Sequence, residues 1–447
     1  MRRHQHPHPA LALSFAIFSM LAAPHLAQAQ SYPTGYGPTP PLPEPDRKLI
    51  PTVNVAPAAP FSAQGKPVAP PGFSVTAYAR DFEHPRWLAT LPNGDVLVAE
   101  TNAPPKPDDA KGIKGAVMKH MQKKAGAATP SANRITLLRG VDGKGAAQSR
   151  HVFLSGLNSP FGMVLVGNKL YVANSDAVLR FPYQEGATSI SAPGVKVMDL
   201  PAGTINHHWT KNIIASPDGK YLYATVGSNS NVAENGMEAE AGRAAIWQLD
   251  LATNKSRLFA SGLRNPNGLA WEPQSKALWT TVNERDELGN DLVPDYMTSV
   301  KEGGFYGWPY SYYGQHVDQR VSPPKPELVA SAIAPDYALG SHTASLGLTF
   351  YTAALFPQRY QGGAFVGQHG SWNRKPHSGY KVVFVPFSGG KPSGPPQDFL
   401  AGFLSSDGKA LGRPVGVAVD QQGALLVADD VANVVWRVAP SAQSAGR

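Results

Sequence analysis

From Pro71 onward, runs of aromatic and β-branched residues follow one another, each broken by Gly, Asn, Asp or Pro. Short apolar runs between turn residues predict many short strands. One phrase recurs. Pro85-Arg86-Trp87-Leu88 leads through Pro92-Asn93-Gly94 to Val96-Leu97-Val98-Ala99. Pro160-Phe161-Gly162-Met163 leads through Gly167-Asn168 to Leu170-Tyr171-Val172-Ala173. Pro266-Asn267-Gly268-Leu269 leads to Leu278-Trp279-Thr280, and Pro414-Val415-Gly416-Val417 to Leu425-Leu426-Val427-Ala428. The proline stands 14, 13, 14 and 14 residues before the closing Ala or Thr. Looser copies run from Pro217-Asp218-Gly219 to Ala224 and from Gly362-Gly363 to Val366. Each copy reads as strand, tight turn, strand. Six such units predict an all-β fold, a six-bladed β-propeller of four-stranded antiparallel blades over residues 71–440. A β-sandwich with insertions is the alternative, and the fixed phrase argues against it.

Four stretches lie outside this pattern. Residues 1–29 read as a secretory signal, with Arg2 and Arg3, an apolar stretch from Ala10 to Ala23, and Ala27-Gln28-Ala29 as the small-x-small cleavage pattern. Cleavage near Ala29 predicts a periplasmic or secreted protein. Residues 30–70 are Pro-rich, favouring polyproline II, and predict a tether or a strap along the domain surface. An insertion over 102–133 carries Lys114, Lys119, Lys123 and Lys124 beside Ile113, Val117, Met118 and Met121. Its apolar members fall three or four apart, predicting a short helix over 112–126. That helix either packs on the propeller rim or docks against a membrane surface or an electron acceptor. Residues 441–447 form a tail.

Composition narrows the chemistry. The 447 residues include 44 Gly and 42 Pro, which disfavour long helices, and no Cys. The last point removes disulfides, thiolate metal sites, iron–sulfur clusters, Cys nucleophiles and covalent c-type haem. Redox chemistry would then come most simply from a bound organic cofactor. Arg2 and Arg3 account for two of the +8 formal charges. The remaining basic residues are dispersed, and no nucleic-acid motif is present.

Propellers bind ligands where loops from several blades converge on the channel mouth. Four polar clusters are candidates. Asn206-His207-His208-Trp209 precedes the Pro217 turn and offers a general base, a metal-ligand pair or plain loop histidines. Arg264, in Gly262-Leu263-Arg264-Asn265-Pro266, either faces an anionic ligand or satisfies loop carbonyls. The stretch from Asn283 to Tyr296, with Arg285, Asp286, Asp291 and Asp295, is the densest acidic segment, either a hard-cation site or a solvated loop. Around His369-Gly370-Ser371-Trp372-Asn373-Arg374-Lys375, with Arg413 following, cations again suit an anion, and Trp372 is either a stacking platform or core.

These phrases, with Pro70-Pro71-Gly72-Phe73, Ser131-Ala132-Asn133-Arg134-Ile135 and Gly303-Gly304-Phe305-Tyr306-Gly307-Trp308-Pro309, resemble the soluble quinoprotein glucose/sorbosone dehydrogenase family, closest to its sorbosone-dehydrogenase-like branch. The resemblance implies a periplasmic propeller that binds pyrroloquinoline quinone (PQQ) and Ca²⁺. Such an enzyme oxidises a sugar, a sugar aldehyde or a related alcohol and passes electrons to an external quinone or cytochrome. It implies His208 as catalytic base, ten residues before Asp218, with His207 where family members carry an acidic neighbour. Arg264, Asn265 and Arg413 match cofactor positions, with Arg374, Lys375 and Trp372 as further cofactor contacts. A second family Arg falls on Val415. The calcium-binding Gly-Pro pair aligns with Arg285-Asp286, with Asp286, Asp291 and Asp295 adding charge. A calcium-dependent lactonase and a non-enzymatic propeller binding a glycan or a protein are the rival readings.

Overall fold

The computed structural model describes Met1 and residues 32–46, 52–105, 121 and 123–441. Apart from Met1 and Ser441, the expected signal segment and tail lie outside the described residues, as does most of the helix expected over 112–126. Its described end is helical, with the Ala125 amide donating to the Met121 carbonyl.

The repeat folds as the spacing predicts. Each copy supplies the first two strands of a four-stranded antiparallel blade. In the first blade Pro85–Thr90 pairs with Val96–Glu100, and Arg134–Arg139 and Ser149–Leu154 complete the sheet. The first strands of the next four blades are Met163–Val166, Ile213–Ala215, Asn265–Trp271 and Ser345–Phe350. The sixth begins with Pro414–Val419. Each first strand touches the first strands on either side, so the ring closes.

Position in the blade sets the residue pattern. Second strands such as Val96–Glu100 and Leu425–Asp429 are buried along their whole length, because neighbouring blades cover both faces. The fourth strands Ser149–Leu154 and Ser256–Ser261 are exposed or half-buried over most of their length. On the first strands or just ahead of them, glycine serves close approach. A Cβ on Gly162 would meet the backbone of Asn212 and Ile213 in the next blade. One on Gly347 would meet Val415 and Val417, and one on Gly416 would meet Arg86 and Trp87.

The sixth blade takes its fourth strand, Phe73–Ala79, from the start of the propeller, paired along Val434–Pro440. The Pro-rich segment ahead of it lies along the propeller and also enters the core. Tyr36–Gly37 adds a strand to the fourth blade, and the amides of Ala59 and Phe61 bond to the carbonyls of Ala410 and Leu411. Ala56 is fully buried, and the Phe61 ring packs edge-on against Phe403 and Trp436. Among the described residues no helix is long and apolar enough to cross a membrane.

Candidate active site

In every blade the hairpin between the first two strands turns at one face of the ring, so the loops leading into the first strands gather at the other. There a cavity of about 180 Å³ is lined by Arg86, His208, Asn265, Asn267 and His369 from four blades or the loops leading into them.

His208 lies in an irregular loop ahead of Ile213. The buried Trp209 after it packs edge-on against Phe161, 6.1 Å between ring centres. Thr210 and Asn212 then bond to Asn267 of the neighbouring first strand. The His208 Nδ1 lies 2.8 Å from the Ser228 carbonyl and 3.0 Å from its hydroxyl. A proton on Nδ1 satisfies that carbonyl and leaves Nε2 as a lone-pair acceptor. Burial, then the Arg264 charge, holds its pKa well below the usual imidazole value, so the ring is neutral at pH 7.

Across the cavity, Asp430 gathers three partners. Its carboxylate lies 2.7 Å from Arg86 Nη1, 2.9 Å from His369 Nε2 and 3.4 Å from His84 Nε2. Burial raises the Asp430 pKa, but His369, His84 and Arg86 outweigh it and keep the group ionised. Burial also lowers both imidazoles, His84 to about 4. Arg86 and Asp430 were not singled out from the sequence. The signal was present: the first copy of the phrase carries Arg86 where others carry Phe161, Asn267 and Val415, so the repeat itself does not require a cation.

The expected cofactor residues separate. Asn265 lines the cavity, and its buried Oδ1 has no hydrogen-bond partner; nor has the buried Nε of Arg413 or of Arg86. Arg413 stacks over Tyr380 at 5.0 Å and reaches the Ala56 carbonyl. Arg264 instead satisfies the mouth loops, donating to the Glu284 carbonyl at 2.6 Å and to Asn231 Oδ1 at 2.9 Å. Arg374 is stitched to the Asn290 carbonyl and to Asp291 at the rim. Lys375 is exposed and Trp372 is 39% exposed.

The expected metal residues do not converge. Arg285 is fully buried and points away, into Glu284, Asp318 and the carbonyls of Pro309 and Ser311. Asp286 accepts from Asn373 at 2.7 Å and pairs with His342 and Arg264. Asp291 is taken by Arg374, while Asp295 accepts from Glu284, Thr343 and Ser345 in the strand below. The loop carbonyls of Glu284, Asp286, Gly289, Asn290 and Asp291 are engaged by Arg264, Arg320, His342, Arg374 and Ser341. Among the described residues, no group of three or more His, Cys, Asp or Glu side chains is placed to hold a metal. The loop closes on itself because its cations are internal partners. The two groups therefore fare differently: orphaned donors on Arg86 and Arg413 suit a planar polycarboxylate, whereas the 284–295 segment does not fit Ca²⁺.

Fold and mouth together define a ligand-binding propeller with a neutral histidine facing buried cations. The chain belongs to the TrAA12-like family, which it matches over residues 67–302 and 327–441. The calcium structure of the Trichoderma reesei carbohydrate-active enzyme of family AA12 shares 18% identity, covering 88% of this chain and all of that one with a TM-score of 0.67. The holo pyranose dehydrogenase PQQ domain from Coprinopsis cinerea shares 20% identity over 86% of this chain and all of its own, with a TM-score of 0.66. At those identities the likeness concerns the fold. In sequence, aldose sugar dehydrogenase YliI of Escherichia coli (strain K12) is 32% identical over 114 residues, 25% of this chain and 29% of its own. The resemblance to the soluble quinoprotein dehydrogenases holds.

Proposed function

We propose that this chain is a PQQ-dependent dehydrogenase that oxidises a sugar or sugar aldehyde at the propeller mouth. One observation carries the reading: a neutral His208, its Nδ1 committed to Ser228, shares a cavity with Arg86 and Asn265, whose buried Nε and Oδ1 respectively lack a partner. PQQ, when bound, supplies the two-electron acceptor for the substrate hydride. His208 Nε2 accepts the proton of the substrate hydroxyl or aldehyde hydrate. Arg86 and Arg413 offset negative charge, and Asn265 orients polar groups. The sugar class is supported by the pyranose and aldose sugar dehydrogenases among the similar proteins. Export to the periplasm rests on the segment from Arg2 to Ala29, and an external acceptor on the lack of any cysteine for covalent haem. No step is built on calcium.

A second imidazole competes for the role of base. His369 opens on the same cavity and holds a buried carboxylate, the arrangement that orients and strengthens a general base. The test is a PQQ titration followed by melting temperature and by dye reduction on aldoses, aldehydes and alcohols, with and without Ca²⁺. PQQ-dependent stabilisation and turnover are expected. Absence of both, or lactone hydrolysis with Ca²⁺ alone, overturns the proposal.

A further inference from the structure

Behind His208 lies a buried lysine without a counter-ion. Lys211 is 0% exposed, and its Nζ bonds to the His208 carbonyl at 3.0 Å. Among the described residues it meets no carboxylate; the charge acting on it is another cation, Arg243. Burial, then Arg243, pushes its pKa well below the usual lysine value. Burying an amine in this way is costly, and an apolar chain of equal length would fill the space without that cost. Stability alone does not account for it.

The loop gives the account. Residues 201–209 have no regular structure, and side chains from outside hold them. Arg243 donates to the Ala202 carbonyl and, at 3.0 Å, to Asn206 Oδ1; Asn229 Nδ2 donates to the Ile205 carbonyl; Lys211 holds the His208 carbonyl. Both buried cations are thus spent on one loop, the one that carries His208. We propose that Lys211 is a positioning residue, whose amine fixes the His208 main chain so that the imidazole stays on Ser228 and presents Nε2 to the cavity. The proposal rests on the reading of His208 as the base.

Lys211→Met removes the donor and keeps the length. Two readouts separate positioning from mere packing. In the cofactor-free protein, an NMR titration of labelled histidine, assigned by comparison with His208→Ala, follows the His208 ring, on which Arg264, His207 and Asp286 also act. Loss of the anchor lets the ring leave its buried seat, and its pKa rises toward the usual value near ~6.5. In the loaded enzyme, kcat falls roughly 10–100-fold with KM and PQQ affinity unchanged, as expected for a misplaced group. If Lys211→Met does not fold, Arg243→Gln, which releases the same loop at Asn206, gives the same titration shift. An unchanged His208 titration in the folded variant overturns the proposal, whatever happens to activity. If His208→Ala retains full turnover while Lys211→Met still shifts the titration, the base assignment fails and the positioning stands.

Discussion

At the residue scale the mouth contains two neutral imidazoles with different supports. His208 leans on a main-chain carbonyl, His369 on a carboxylate held by Arg86. The two are separable by kinetics. Replacing the true base by alanine is expected to lower kcat roughly 10²–10⁴-fold, while replacing the other costs far less. A steady-state comparison of His208→Ala and His369→Ala decides it, and equal small losses in both would sink the base role of either. Because burial lowers both pKa values, the acid limb of the kcat profile is expected below about 6.5. A limb above that value would show a base that the present site does not contain. Of the two roles its motif leaves open to Arg264, the structure shows the bracing one: its donors go to the Glu284 carbonyl and to Asn231 Oδ1 in the mouth loops.

At the element scale the first strands are the rigid part of the site. Gly347 has no left-handed backbone requirement, so an alanine there is resisted by contact alone: the added Cβ would lie 2.3 Å from the Val415 carbonyl oxygen. Gly347→Ala is expected to cost roughly 1–3 kcal/mol, read as a lowered melting temperature. A wild-type melting temperature in that variant would mean that the first strands are less tightly apposed than described. The same elements explain what could be read in advance. The hairpin phrase carries strict turn chemistry and a fixed length, so the six blades were legible in the order of residues. Loop convergence was less so, because which loops meet depends on ring closure and on partners far away in sequence. His369 and Asp430 are 61 residues apart, and Arg86 and Asp430 are 344 apart. Arg285, aligned by the family resemblance with a calcium-binding pair, turns its side chain inward because Asp318 and the 309–311 turn offer it a buried cage.

At the scale of the whole molecule, pH acts through buried carboxyl groups shifted in both directions. Asp286 and Asp318 are each held near about 2: burial raises them, and partners led by His342 for the first and Arg320 for the second pull them down further. Their contribution to stability is complete above the unfolded value of ~3.9 and is lost as pH falls through the folded value. Asp295 and Asp429 are raised by burial to about 6, so their contribution is complete in acid and is lost as pH rises through 6. Melting temperature is therefore expected to fall steeply between about pH 4 and 2. Asp286→Asn, less stable at pH 7, should show a shallower fall, and parallel curves for the two proteins would refute the assignment.

The strand Phe73–Ala79, laid against Val434–Pro440, makes the two ends of the propeller one sheet. During synthesis the ring can close only after the final blade has emerged, some 360 residues after its partner strand. Until then the strand Phe73–Ala79 has no partner, and an unpaired strand is the feature that invites wrong pairing. Closure is thus a late, long-range event and a natural quality checkpoint: a chain cut short within its last blade has no seam to fasten, however well its earlier blades are made.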